Sequence, residues 1–200
     1  MSQTGPNGSY ALVDYDTGAL TGTTLTVAGV GNHSSGAYVT VGDVAALFPD
    51  SSVINYNHAL YTSSPHTFTF SGLTAGSTYD LAIYANRAYD PANANASRSA
   101  TYTLSGASSF TNTSSTGNAG VISIDGASVT LQNGSNHWGN LARWSDIVAE
   151  GDSITVTVSG TGYSGNALRF EIIPEPAVAA LTGLSALGLL LRRRSRHVSA

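Results

Sequence analysis

Aromatic side chains lie close to amide and guanidinium groups in two loops of this 200-residue chain. Trp138 lies in the polar stretch Asn136-His137-Trp138-Gly139-Asn140, and Tyr89 lies two residues after Arg87. Sugar rings have apolar faces and polar edges, so an aromatic ring beside amide or guanidinium groups suits them. The sequence therefore indicates Trp138, Tyr89 and Arg87 as candidate ligand-binding residues. The alternative is that Trp138 packs beneath its own loop.

Two aspartates, Asp14 and Asp16, precede a glycine and could contribute oxygen ligands to calcium. The segment lacks the rest of an EF-hand loop, and a turn capped by an aspartate is the alternative. The chain has no cysteine, and the histidines of its body have no ligand-type spacing. We therefore predict neither a metal nor a cofactor.

Two serine motifs could suggest an enzyme. Gly151-Asp152-Ser153-Ile154 resembles the nucleophile block of the GDSL esterases, but no Asp-x-x-His follows it. Gly162-Tyr163-Ser164-Gly165-Asn166 lacks the second glycine of a nucleophile elbow, and a phosphate loop needs a lysine that the chain lacks. We therefore expect a non-enzymatic protein. The alternative is that the chain is the C-terminal part of a secreted hydrolase.

Short alternating runs separated by turn residues fill the chain up to Ile173. They predict an all-β fold, a single antiparallel β-sandwich or jelly roll over residues 1–172. The predicted strands are Tyr10–Asp14, Thr23–Val27, Tyr38–Val41, Val53–Tyr56, Thr67–Phe70, Thr78–Ala85, Ala100–Leu104, Gly120–Ile124, Ser128–Leu131, Leu141–Trp144, Ser153–Val158 and Ala167–Ile172.

Period-two alternation assigns one buried face to each of three strands, at residues 79–85, 154–158 and 168–172. Asp125-Gly126 between two alternating runs predicts a hairpin, since a tight turn needs a positive φ. Val44–Phe48 could form a single helical turn, which Pro49 would stop.

The C-terminal segment 173–200 differs from the body. Fifteen uncharged residues, 177–191, follow two prolines and precede a basic terminus. A helix of this length spans about 22 Å, against about 30 Å of bilayer hydrocarbon, and long arginine side chains can reach across part of the deficit. The segment therefore predicts a single transmembrane helix at 177–191. Clustered arginines stay cytoplasmic and place the body outside; they are Arg192, Arg193, Arg194 and Arg196. The alternative is a terminal core helix.

Pro174-Glu175-Pro176, the apolar run and the basic end together resemble the PEP-CTERM sorting signal of bacterial surface proteins. This resemblance implies export, transient anchoring in the inner membrane, and cleavage near the triplet by an exosortase. Residues 1–8 contain no signal peptide, so we expect the natural N-terminus to lie upstream.

The body resembles a galactose-binding-like jelly roll of secreted bacterial proteins. The resemblance is carried by Leu12-Val13-Asp14 with Thr21–Leu25, by Phe70-Ser71-Gly72-Leu73, and by Asp152–Val156 with Asn166–Ile172. It implies a further strand before the first one, which this chain lacks. Leu73–Tyr79 resembles instead the tyrosine corner of fibronectin type III domains, which would leave room for a second sandwich.

The net charge of the body limits the classes of molecule that it could bind. Four arginines and eleven acidic residues precede Pro174, which gives −7, and the tail carries +3, for a net charge of −4. An acidic body without lysine argues against nucleic acid and anionic membranes. We expect an exported cell-surface or extracellular-matrix protein with a carbohydrate-binding or adhesive role, whose partners are an exosortase, the inner membrane and extracellular polysaccharide. The alternative to that role is a purely structural surface spacer.

Overall fold

The computed structural model describes residues 7–14, 16–34, 39, 41–48, 59–61, 65–87, 90 and 92–174. Within these residues the chain forms one helix, α1 (Gly42–Leu47), and otherwise strands and loops. The strands are β1 (Gly8–Val13), β2 (Leu20–Ala28), β3 (Asn32–Ser34), β4 (Ala59–Tyr61), β5 (His66–Ser71), β6 (Thr78–Tyr84), β7 (Ser99–Ser105), β8 (Ala107–Asn112), β9 (Val121–Asp125), β10 (Ser128–Gln132), β11 (Leu141–Ala149), β12 (Ser153–Gly160), β13 (Tyr163–Gly165) and β14 (Ala167–Ile173).

The strands form three antiparallel sheets. The large sheet has the order β1-β2-β5-β12-β7-β10-β9, and the small sheet has the order β14-β6-β11-β8. A third sheet, β13-β4-β3, contributes three short strands. The all-β, antiparallel class predicted from the sequence is therefore confirmed.

One hydrophobic core lies between the large and the small sheet. Phe70 of the large sheet stacks on Phe170 of the small sheet with ring centroids 4.6 Å apart, and Tyr79 of the small sheet also stacks on Phe170, at 5.4 Å. Ile154 and Trp144 are fully buried in the same cluster. The two sheets thus pack face to face.

The predicted alternation is confirmed in β12 and in part in β6. In β12 the even-numbered residues from Ile154 to Val158 are buried and the threonines between them are half-buried. In β6 Tyr79, Leu81 and Ile83 are buried in the shared core as predicted, but Ala82 and Tyr84 on the opposite side are buried as well. In β14, by contrast, Ile172 is 49% exposed, because this strand lies at the edge of the small sheet.

The predicted hairpin is also confirmed, with one change in its turn. Asp125 pairs with Ser128, so the two loop residues are Gly126 and Ala127. Gly126 has a φ of +52°, as expected for the first position of a two-residue hairpin loop.

Several elements differ from the sequence-based prediction. β8 was not predicted, because its sequence contains only one large apolar residue, Phe110. The predicted helical turn appears as α1, which begins two residues earlier, at Gly42. Half of the predicted strand at 38–41 and all of the one at 53–56 lie outside the described residues, and the two described residues, Val39 and Val41, are not in a strand.

Replacing Ile154 by alanine should lower the free energy of unfolding by about 2–5 kcal/mol, because the side chain is fully buried and leaves a cavity. Ile122→Ala is the matched control: it is the same change in a strand, but at a side chain that is 55% exposed. We expect about 0.5 kcal/mol or less for the control. Urea denaturation measures both values, and equal losses would contradict the assignment of the core.

Candidate functional site

A cleft of about 280 Å³ lies between α1 and the outer side of the small sheet. Its walls combine one carboxylate, one guanidinium, one hydroxyl and three aliphatic side chains. The lining residues are Asp43, Ala46, Leu47, Thr113, Leu141 and Arg143.

Helix α1 is held against the sheet by backbone contacts and by a second, smaller core. The amide of Val44 donates a hydrogen bond to the carbonyl of Gly139 at 3.0 Å, and Val44 is buried with Tyr84 and Leu141. Gly42 has a φ of +59°, and a Cβ there would lie 2.2 Å from the carbonyl oxygen of Trp138. This position therefore requires glycine, and the close approach fixes the wall of the cleft.

The polar groups of the cleft are positioned but not fully paired with one another. Ser115 donates a hydrogen bond to the carboxylate of Asp43, which orients it. Arg143 lies 3.9 Å from the carboxylate of Asp80, and its side chain is 37% exposed. An ion pair at that distance is weaker than a direct hydrogen bond. The guanidinium can therefore donate to a ligand while the Asp43 carboxylate accepts from it.

The neighbouring arginine is engaged more completely. Arg169 donates to the carbonyl of Leu47 at 3.1 Å and forms a hydrogen-bonded ion pair with Glu171. It thereby ties the end of α1 to β14 and serves the structure of the cleft.

Trp138 packs more tightly than a free aromatic platform would. Its side chain is half-buried, its ring centroid lies 3.7 Å from that of His137, and a Cβ on Gly120 would lie 2.3 Å from its Cε3 atom. The ring therefore covers Gly120, and its backbone supports Gly42 of α1. In the described structure Trp138 packs its own loop against Gly120, and this loop contacts the start of α1. Trp138 does not line the cleft.

Arg87 is half-buried and belongs to a different cluster. Its guanidinium lies 5.8 Å from the ring centroid of Tyr163, and Arg98 approaches the same ring at 5.9 Å. Tyr89 lies outside the described residues, so the joint role of Trp138, Tyr89 and Arg87 stays a prediction.

Asparagines hold the loop of residues 133–140 to the end of the sandwich. Asn136 donates to the carbonyls of Ala85 and Asn140, and its backbone amide donates to Asn86 Oδ1 at 2.8 Å. Asn133 accepts a hydrogen bond from the amide of Tyr163 at 3.0 Å. These buried amides replace regular pairing where the strands end, and so determine the position of Trp138.

The segment at Asp14 and Asp16 forms a capped turn. The hydroxyl and the amide of Thr17 donate to Asp14 Oδ1 at 2.6 and 2.8 Å, and these bonds lower the pKa of the Asp14 carboxyl. No group of three or more potential metal-ligating side chains occurs within the described ranges.

The serines of the two enzyme-like motifs occupy structural positions. Ser153 is the first residue of β12 and pairs with Ser71 of β5. Ser164 is fully buried, and its hydroxyl donates to the carbonyl of Leu60 at 3.0 Å.

Of the predicted sorting segment 173–200, only Ile173 and Pro174 lie within the described residues. Ile173 pairs with Thr78, and Pro174 follows it at an exposed position. Glu175, Pro176, the predicted helix 177–191 and the four terminal arginines lie outside. No helix in the described part of the chain is long and apolar enough to cross a membrane.

The fold and site define an all-β protein with a polar, charge-balanced surface cleft. No family model, no curated protein and no solved structure matches the chain.

Asp43, Thr113 and Arg143 were not identified from the sequence, because they come from a helix, a loop and a strand that are distant along the chain. The only local signal was the helical turn around Val44. The register that places Thr113 beside Arg143 depends on β8, which the sequence did not predict.

Raising the pH should destabilise the protein through Tyr102. Burial raises the pKa of this hydroxyl, against the smaller opposing effect of the hydrogen bond from Asn133. An unfolded tyrosine ionises near pH 10, so above about pH 10 the unfolded chain releases a proton that the folded chain retains, and the free energy of unfolding falls.

Tyr102→Phe should remove this part of the pH dependence. It should also lower stability at neutral pH by about 1 kcal/mol, because the hydroxyl donates to the carbonyl of Tyr163 at 2.9 Å. Urea denaturation at a series of alkaline pH values provides the measurement. An unchanged slope above about pH 10 in the variant would refute the assignment.

Proposed function

We propose that this chain is an exported bacterial surface or matrix protein, whose segment 173–200 is a sorting signal of the PEP-CTERM type. The observation that carries the proposal is the position of the signal relative to the fold. The last strand, β14, ends at Ile173 on the edge of the small sheet, and Pro174 is exposed immediately after it. A cleavage near the triplet would leave every described strand intact.

The strand order supports the jelly-roll class for the body. In a jelly roll, a long hairpin is rolled into two sheets, so strands pair from the outside inwards. Here β5 pairs with β12, β6 with β11 and β7 with β10, all antiparallel. The innermost pair is altered, because β9 pairs with β10 in the large sheet and leaves β8 at the edge of the small one.

The strand order also bears on the fibronectin-like alternative. The hydroxyl of Tyr79 does bond back to the chain, accepting from the amide of Thr74 at 2.9 Å. However, the large sheet pairs strands from both halves of the chain: β5 (His66–Ser71) lies between β2 (Leu20–Ala28) and β12 (Ser153–Gly160). The described strands therefore support one jelly roll better than two sequential sandwiches.

The body's proposed role is recognition of extracellular carbohydrate, and the cleft under α1 is its site for a single sugar unit. The cleft offers both a hydrogen-bond donor and an acceptor, as adjacent sugar hydroxyls require, with Ala46 and Leu47 as an apolar wall. Asp43 and Arg143 balance each other in charge, which favours a neutral sugar.

Sorting can be tested in an exosortase-carrying bacterium that produces the full chain behind a secretory leader. We expect the intact mass of the exported protein to end near Pro174–Pro176, without the terminal arginines. Changing the triplet to Ala-Gln-Ala should prevent this loss. Glu171→Gln, the same removal of charge four residues before Glu175, is the matched control and should be processed normally. A full-length chain with its arginines in the cytosol would refute the proposal.

Sugar binding at the cleft can be tested by NMR titration with glucose, galactose and mannose. We expect chemical-shift changes at the amides of Ala46 and Thr113, and at least a tenfold weaker response in Asp43→Asn. Asp125→Asn, at an exposed hairpin turn, is the control. Shifts confined to His137 and Trp138 would move the site to that loop. A chain that is sorted but shows no shifts would support the spacer role.

A further inference from the structure

The outer side of the large sheet is covered almost entirely by hydroxyl groups. All odd-numbered positions of β5 and β7, and those from 153 to 159 in β12, are serine or threonine, and they alternate with the buried core residues. The pattern continues at Thr24 and Thr26 of β2 and at Ser128 and Thr130 of β10. We call this set of side chains the hydroxyl face. All of them are at least partly exposed.

The strand register aligns these side chains into rows across the sheet. Paired positions on neighbouring strands lie about 4.8 Å apart, and successive outward positions along a strand lie about 6.7 Å apart. The hydroxyls therefore repeat regularly in two directions. Two of the rows are Thr26–Thr69–Thr155–Ser105 and Thr67–Thr157–Thr103–Ser128.

Hydrogen bonds between strands orient the hydroxyls. Thr69 and Thr155 are joined at 3.1 Å, and Thr101 and Thr130 at 2.8 Å. One hydroxyl proton is used within each pair, which leaves the pair with a second proton and several lone pairs for an external partner. The face is thus preorganised both to donate and to accept.

No charged residue occurs in β2, β5, β7, β10 or β12. The outward charges of the small sheet, in contrast, include Asp80, Arg143, Arg169 and Glu171. The charged residues nearest to these five strands along the described chain flank them: Arg98 precedes β7, Asp125 lies at the hairpin turn before β10, and Asp152 precedes β12.

This chemistry excludes most kinds of partner. Protein interfaces are enriched in aromatic residues, methionine and arginine, and depleted in serine, whereas the hydroxyl face consists of serine and threonine alone. Nucleic acids and anionic lipids need positive charge, which the face lacks. A neutral polysaccharide matches it, because sugar hydroxyls both donate and accept, and threonine methyl groups can contact the C–H faces of the rings.

We propose that the hydroxyl face is a docking surface for a neutral extracellular polysaccharide. The proposal names the partner of the surface protein described above and rests on its delivery to the cell exterior. Five strands about 20 Å long present on the order of 500 Å², less than the roughly 800 Å² per partner of a standard interface. Each contact is therefore weak, and many copies along one polymer provide firm attachment.

The experiment is co-sedimentation of the full-length chain with insoluble cellulose, chitin or curdlan, in a detergent without a sugar headgroup. We expect binding to at least one of the three. The double variant Thr69→Val, Thr155→Val should bind at least tenfold less. It replaces both partners of one hydrogen bond by side chains of similar shape, so the fold should be retained. Its melting temperature verifies this.

The matched control is Ser109→Ala with Thr111→Val, which removes two exposed hydroxyls from β8 of the small sheet. It should bind like the unmodified chain. The proposal is overturned if no neutral polysaccharide sediments the protein, or if the Thr69/Thr155 variant binds normally. If Asp43→Asn loses polysaccharide binding and the Thr69/Thr155 variant does not, the binding site is the cleft and not the hydroxyl face. None of these outcomes depends on tail processing, so failure of the sorting proposal is detected separately.

Discussion

The contact between the two sheets is the interaction on which the rest of the structure depends. Phe70, Phe170 and Tyr79 form a stack that joins the large sheet to the small one. The chain has no disulfide, so apolar burial of this kind must stabilise the body. Tyr79 has a further role, since its hydroxyl fixes the turn by which the chain passes from β5 in one sheet to β6 in the other. The ring of Tyr79 thus packs in the core, while its hydroxyl fixes the connection between the two sheets.

The two sheets present different side chains on the sides that face away from the shared core. The large sheet presents uncharged hydroxyls outward, whereas the small sheet presents charged residues and supports α1. This division explains the unusual composition. With 10% of its residues charged, the protein relies for solvation on the hydroxyls of the large sheet. Five charged residues lie around the cleft and the neighbouring part of the small sheet, namely Asp43, Asp80, Arg143, Arg169 and Glu171.

The fold class could be predicted from the sequence because it follows from a local rule. Alternation in β12 and β6 identified their buried sides without knowledge of their neighbours, and Gly126 marked a hairpin through its conformational freedom. β8 could not be predicted in this way, because its single large apolar residue, Phe110, gives no alternation. Its position beside β11 is determined by the partner strand, through pairs such as Thr111 with Ser145.

The site was harder to predict for a related reason. Trp138 is an aromatic residue in a polar loop, and the same residue types suit both a binding platform and a structural support. Its contact with Gly120 shows the supporting role, which the sequence alone did not identify. Arg143 has no local feature that distinguishes it from other strand residues. Its significance comes from α1 lying opposite it, which in turn depends on Gly42 and Gly139 allowing two backbones to approach closely.

The position of α1 depends on two distant parts of the chain. The loop of residues 133–140 is held by Asn133 and Asn136 to the end of the sandwich, and this loop in turn seats α1. Arg169 of β14 then binds the carbonyl of Leu47 at the other end of the helix. β14, the last described strand before the proposed sorting segment, therefore helps to build the cleft. A cut after Ile173 would preserve β14, whereas a cut within β14 would disturb the strand that holds the end of α1. The bond between Ile173 and Pro174 is therefore the earliest position at which the proposed cleavage leaves the cleft intact.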